Sequence, residues 1–406
     1  MATVEEQILD PRVREAALTI PVYGQLPFVP ERASGCDIFT RDGRRILDLY
    51  GGHAVAALGY GHPRLVAAIH EQSSKLLFQS NAVALDVRAE AAEQLTRIAP
   101  EGLDRVFFVN SGAEANENAL RMALMATGRK KVLALTRGFH GRTAAAAAVT
   151  WNSDRWYGFT TKPFEVDFIP RDDVDAARKM IDQSIAAVIF EPVQGVAGAY
   201  DLSNEFIETL RSETAKHGAI LIADEVQSGM GRCGRFFGVQ AHRINPDIIT
   251  SAKALGGGIL PVSMFLARRE VMNVFTPGDH GSTFGGNPLG AAVGLEALNI
   301  LVDENLAANS AAMGDYLLGQ LRAIDCPLIK EVRGKGLFVG VEVNPACASA
   351  RDVCKALMKR GLLSKETHST VVRLAPPLII SKAEIDWAVT QIREVLDEMN
   401  QHRLAS

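Results

Sequence analysis

Between Val106 and Arg268 the chain repeats one unit: a short apolar run rich in β-branched residues, then a stretch with helical spacing. The runs are RVFFV, KVLAL, VDFIP, AAVIFEP, AILIADE, DIITSAK and VSMFLAR. Strands buried on both faces need no polar alternation, so this pattern predicts a largely parallel sheet covered by helices on both sides. In such open sheets ligands gather beyond the carboxyl ends of the strands. Most of the runs end there in polar or glycine-rich loops: Asn110-Ser111-Gly112, Gly138-Phe139-His140-Gly141-Arg142, Asp224-Glu225 and Lys253. The chemistry is expected at these loops.

A chain of 406 residues supports two or three cores, because domains hold roughly 100 to 200 residues each. After Asn287-Pro288 an alanine- and leucine-rich stretch reads as a helix leaving the large domain. Residues 301–406 then read as helix, strand (LFVGVEV), helix, strand (VVRLAPPLII) and final helix, a smaller α+β domain. The first 50 residues, rich in proline and turn formers, are expected to be an arm with short strands packed against both. The predicted division is therefore residues 1–50, 51–300 and 301–406.

A formal charge of -4 offers no general attraction to phosphate backbones or anionic lipid, which argues against nucleic acid and membrane partners. The five cysteines, Cys36, Cys233, Cys326, Cys347 and Cys354, form no CxxC pair and have no histidine at metal-ligand spacing. They are expected to stay reduced, with no metal site. Met1 to Asp10 is acidic and lacks the basic start and apolar block of a secretory signal. A cytoplasmic protein is the expectation.

Three features carry chemistry. Ser111-Gly112-Ala113 follows a strand and opens a run of helix formers, so its free N–H groups and helix dipole suit an anion such as phosphate. An ordinary turn and cap explains the same residues equally well. Asp224 and Glu225 end an apolar strand, and a carboxylate drawn into a low-dielectric floor requires a cationic partner. A protonated pyridine nitrogen of pyridoxal phosphate (PLP) is one such partner and magnesium is another. No P-loop accompanies the pair, which weakens the magnesium reading. Lys253 follows the next strand and precedes Leu255-Gly256-Gly257-Gly258. A desolvated amine there loses its proton readily and can form a Schiff base with an aldehyde; a surface charge is the plain alternative.

The segments NSGAEANE, GFHGRT, EPVQG, ADEVQSGMGRCG, SAKALGGG and HGSTFGGNPLG, in this order, resemble the class-III aminotransferases of PLP fold type I. The resemblance runs from Tyr23 to the final helix. RGKGLFVGVE, GLLSKETH and VVRLAPPLIISK look most like the ornithine δ-aminotransferase branch, with the acetylornithine branch next. It implies that Lys253 binds PLP covalently and that Asp224 pairs with the ring nitrogen. Val226 and Phe139 would cover the two ring faces and Gln227 would bond the ring hydroxyl side. Gly112 and Ala113 would donate to the phosphate, with Ser111 and His140 counted in the cofactor set. Ser282 and Thr283 would reach the phosphate of a neighbouring subunit, which makes the enzyme a homodimer. Arg373 would hold the carboxylate of 2-oxoglutarate or glutamate, while Tyr23 and Arg142 would grip the α-carboxylate and α-amino end of ornithine.

Two departures bear on substrate choice. Val196 stands where the family usually has a glutamate that masks the Arg373 equivalent, and His53 stands where ornithine aminotransferases have a tyrosine. The expected activity is ping-pong transfer of an amino group, from an ornithine-like ω-amine donor to 2-oxoglutarate. Acetylornithine or another α- or ω-amino acid is the alternative donor. A PLP racemase or isomerase on the same scaffold and a non-catalytic binding protein compete with it.

Overall fold

The structure, a computed structural model, describes residues 10–405. Residues 1–9, which carry most of the acidic start, lie outside the described residues. Three antiparallel strands open the fold: β1 (Pro30–Ser34), β2 (Asp37–Thr40) and β3 (Arg45–Asp48). Next come β4 (Arg105–Val109), β5 (Lys131–Leu135), β6 (Glu165–Ile169) and β7 (Ile185–Phe190). A small hairpin, β8 (Val193–Gln194) with β9 (Tyr200–Asp201), precedes β10 (Ile220–Asp224), β11 (Ile248–Ser251) and β12 (Ser263–Ala267).

The central sheet has seven strands in the order β4-β12-β11-β10-β7-β5-β6, and each of them is one of the seven apolar runs. Every residue of β7 and of β12 is buried, which explains the missing polar alternation. The sheet is parallel except at β12, which runs antiparallel to both β11 and β4. An apolar run carries no direction; the connection sets it. Between β11 and β12 lie only the short turn Lys253–Gly256 and a few residues more, too little chain for a helical crossover.

The C-terminal part forms a second antiparallel sheet in the order β13-β14-β17-β16, from β13 (Ile329–Lys335), β14 (Phe338–Val343), β16 (Lys365–Thr367) and β17 (Val371–Leu374). Sequence patterning misses β13, whose IKEVRGK is charged because it is an edge strand. The run after Leu374 leaves the sheet at Pro376 and Pro377, which cannot donate to a ladder. Between these lies β15 (Leu362–Leu363), which pairs in parallel with β3 and so joins the N-terminal strands to the C-terminal part. Among the described residues no helix is long and apolar enough to cross a membrane.

Candidate active site

The carboxyl ends of β4, β5, β10 and β11 open onto one cavity of about 520 Å³, a size ordinary for a small-molecule site. Each wall follows from local sequence. Ser111 caps the helix Gly112–Thr127 by accepting from Glu114 N (3.2 Å), while Glu114 Oε2 accepts from Asn110 N (2.9 Å). These bonds satisfy two donors and leave the N–H groups of Gly112 and Ala113 without an acceptor among the described residues. Gly112 cannot be larger, since a Cβ there would sit 2.8 Å from a Val226 methyl carbon.

Asp224 ends β10 on the cavity floor at 3% exposure. Its Oδ2 accepts from Asn116 Nδ2 (2.7 Å) and lies 2.8 Å from His140 Nδ1, and its Oδ1 accepts from Val226 N (3.0 Å). Asn116 is held in turn by Thr250, whose hydroxyl donates to Asn116 Oδ1 (2.7 Å). The carboxylate is thus fixed from three sides, and His140 acts on the site through it. Asn116 and Thr250 are functional residues that the sequence reading missed. The signal was there for Asn116, which lies four residues after Gly112 and so shares its helix face.

Glu191 was also missed. It accepts from Phe139 N (2.9 Å) and Gly195 N (3.2 Å), tying two cavity-side loops together, and burial pushes its carboxyl up to about 7.

Lys253 follows β11 with a left-handed backbone (φ 49), a conformation unusual for a side chain of this size. It keeps some exposed surface because it faces the cavity, yet its amine is enclosed by protein and has no hydrogen bond or ion pair among the described residues. Burial pushes the ammonium down to about 8, against the pull of Asp224 on the neighbouring strand.

The predicted substrate residues are distributed differently. Arg142 lines the cavity, its guanidinium 5.0 Å from the centre of the Phe139 ring. Arg373 lies behind Gln227 at 5% exposure, donating to Gln227 Oε1 (3.1 Å) and, at 3.5 Å, to Gly195 O. Its partner is a neutral amide rather than a carboxylate, and burial holds the guanidinium below its usual range. Gln227 therefore serves Arg373 here, a link that the motif alone did not suggest.

Tyr23 and His53 line an adjoining groove with Tyr50 and Lys365. His53 lies within a left-handed stretch from Gly51 to Ala54, its ring 4.8 Å from that of Tyr50 and 6.1 Å from that of Tyr23. Although one edge is exposed, burial against these rings, helped by Arg373 and Lys253, pushes its imidazole down to about 4. Ser282 and Thr283 do not line the cavity of their own chain; Ser282 Oγ caps Gly285 N (3.0 Å) and Thr283 is exposed.

A ligand suited to these walls is anionic at one end, carries a ring nitrogen for Asp224 and offers a carbonyl to an amine. The class of protein so defined is the lysine-dependent PLP enzymes of α/β fold. Comparison with known proteins narrows the class. The family model "Aminotransferase class-III" matches residues 20–396, and the chain belongs to the class-III aminotransferases, a PLP-dependent family. It is 41% identical over 384 residues to ornithine aminotransferase 2 of Staphylococcus aureus, covering 92% of this chain and 95% of that one. Among solved structures it resembles the ornithine aminotransferase of Toxoplasma gondii, which is described with partial occupancy of PLP at its active site. The TM-score is 0.93 at 31% identity, over 100% of this chain and 99% of that one. The acetylornithine aminotransferase of Elizabethkingia anophelis gives 0.87 at 33% identity, over 98% and 100%.

Proposed function

We propose that the chain transfers the δ-amino group of an ornithine-like donor to an oxo acid, 2-oxoglutarate being the acceptor, in two half-reactions at one site. The observation that carries this reading is the unpartnered amine of Lys253, one strand from the locked carboxylate of Asp224. The likeness to the S. aureus ornithine aminotransferase supports the donor.

PLP fits the cavity. The N–H groups of Gly112 and Ala113 would hold its phosphate, Phe139 and Val226 its ring faces and Asp224 its nitrogen, with Gln227 on the hydroxyl side. Ser282 and Thr283 of a second copy would complete the phosphate site, so the functional unit is a homodimer. When bound, PLP supplies a carbonyl that takes up the amino group and a ring that accepts the electron pair left by the departing proton. Lys253 Nζ, with a proton affinity lowered to about 8, removes that proton from the donor carbon and holds it for redelivery. The Asp224 carboxylate, held by Asn116, His140 and Val226, would face the ring nitrogen. Arg142 and Tyr23 hold the donor's α-carboxylate and α-amine so that its far amine approaches Lys253. Arg373 takes a carboxylate of the oxo acid in a bidentate fork.

Loss of the lysine-linked chromophore should be fastest with ornithine in a screen against N-acetylornithine, lysine, 4-aminobutyrate and glutamate. A donor other than ornithine favoured tenfold in the half-reaction would overturn the choice of donor.

A second result is expected at Val196. With only Gln227 and a carbonyl on its buried guanidinium, Arg373 has no carboxylate partner among the described residues. Val196→Glu should place a competing carboxylate there, slow the glutamate half-reaction and raise the ornithine-to-glutamate rate ratio by about tenfold. Single-turnover rates for both donors in wild type and variant check this.

A further inference from the structure

On the turn that runs from Asp224 through Gln227 lies Arg232, the largest of the side chains that the fold buries completely (1% exposed). Its guanidinium has no carboxylate partner among the described residues, and its Nε and Nη2 meet no acceptor there. Burial pushes it down to about 10. A buried cation without a counter-charge is costly, and an apolar side chain of similar volume would avoid that cost. The function of Arg232 lies in what its one bonded nitrogen holds.

That nitrogen, Nη1, donates to Leu337 O (3.0 Å) and to Pro376 O. Leu337 immediately precedes β14, whose first residue, Phe338, has its ring centre 5.8 Å from the Arg373 guanidinium. Pro376 lies just after β17, the strand that carries Arg373 and pairs with β14. One nitrogen thus grips both strands of the ladder that presents Arg373, at the end where Val339 pairs with Leu374. The backbone of Arg232 is seated on the same end. Its carbonyl accepts from Ser310 Oγ (2.7 Å), which accepts in turn from Leu337 N (3.1 Å). Gly336 has a left-handed backbone (φ 54), and a Cβ on it would sit 2.7 Å from Arg232 O, so the turn into β14 lies directly on the Arg232 peptide.

The start of the same turn reaches the guanidinium itself, since Gln227 Oε1 accepts from Arg373 Nη1 (3.1 Å). A Cβ on Gly195, whose carbonyl is the other acceptor of Arg373, would meet both Gln227 Oε1 and Phe338 at 2.7 Å. With contacts this close, a shift of β17 drives the guanidinium against Gln227 and Phe338.

We propose that Arg232 is a positioning residue for the substrate-carboxylate site: by clamping β14 and β17 it fixes where Arg373 stands relative to Asp224, and so sets the affinity for the oxo acid. Arg232 does not line the main cavity and acts only through Arg373. This rests on the reading above of Arg373 as the holder of the acceptor's carboxylate. A guanidinium fork tolerates little displacement, because both of its N–H···O bonds depend on angle as well as distance.

Glutarate, a dicarboxylate of the acceptor's length with no keto group to react, probes the site by calorimetric titration of the PLP-loaded enzyme. Arg232→Met keeps the bulk and removes the donors. It should weaken glutarate about tenfold or more, while the dissociation constant of PLP changes less than about twofold. Arg232→Lys keeps a cation without the rigid planar group and should lie between, at about threefold. A residue that served stability alone would lower the melting temperature and leave the glutarate affinity of the folded enzyme as it was. Unchanged glutarate affinity in Arg232→Met therefore overturns the proposal, as does an equal loss of affinity for PLP. Where the methionine variant does not fold, Arg232→Lys decides by the same two readings. Glutarate binding that survives Arg373→Met sinks the reading of Arg373 itself; binding lost there yet kept in Arg232→Met sinks only the role of Arg232.

Discussion

Lys253→Ala is expected to lower turnover by about 10⁴-fold or more, since it removes both the covalent anchor and the proton carrier. Borohydride should no longer fix PLP to the protein, and the lysine-linked absorbance should vanish while PLP still binds non-covalently. The substitution should not unfold the chain, because the side chain has no hydrogen bond or ion pair to lose among the described residues. The cofactor-free protein adds a second signature. The folded lysine titrates near 8 and the unfolded one near 10.5, so between these values the unfolded chain binds more protons. Wild-type stability relative to Lys253→Met should therefore rise with pH from about 8 to 10.5, and stay flat below that window. Melting curves of both cofactor-free proteins across this range, with turnover of the loaded enzymes, check the two claims. Covalent PLP in the alanine variant would place the anchor elsewhere.

The positions of these residues were legible to different depths. The inner strands of the central sheet could be read because burial on both faces leaves an unbroken apolar run, as in AAVIF, while the edge strand β6, EVDFI, shows an alternating pattern instead. The direction of β12 could not, since it depends on the length of the connection from β11 and not on composition. The joining of β3 to β15 was also hidden, because a two-residue strand has no pattern. The motif residues that meet at the main cavity sit at the ends of strands, and parallel strands bring their carboxyl ends together automatically. Arg373, Tyr23 and His53 come from other elements, and only the packing shows that the first lies behind Gln227 and the others in a separate groove. Asn116, Thr250 and Glu191 escaped notice for another reason. Thr250 and Glu191 are polar groups in or beside apolar runs and Asn116 is one of several polar residues in its helix turn, and which partner satisfies each is a property of three-dimensional contact.

Asp224→Asn is expected to slow removal of the proton from the donor carbon by about 10² to 10³-fold, the scale for losing one preorganised electrostatic contact in an active site. A neutral amide cannot hold a positive charge on the ring nitrogen at the cavity floor. The hydrogen bonds around Asp224 add a structural consequence. Oδ2 faces donors on Asn116 and His140, and Oδ1 faces the N–H of Val226. Whichever way the new amide turns, its NH₂ meets a donor, and the buried mismatch costs about 1 to 3 kcal/mol. The variant should therefore lose thermal stability as well as rate, unlike Lys253→Ala. The two losses separate through Asn116. Asn116→Ala deletes one donor to Oδ2 but keeps the negative charge, so it should reproduce part of the instability with a much smaller loss of rate. Deuterium exchange at the donor carbon reads the proton step, and melting temperature reads the mismatch. Exchange in Asp224→Asn at the wild-type rate, with PLP saturating, would show that the carboxylate organises the floor of the site without taking part in its electrostatics.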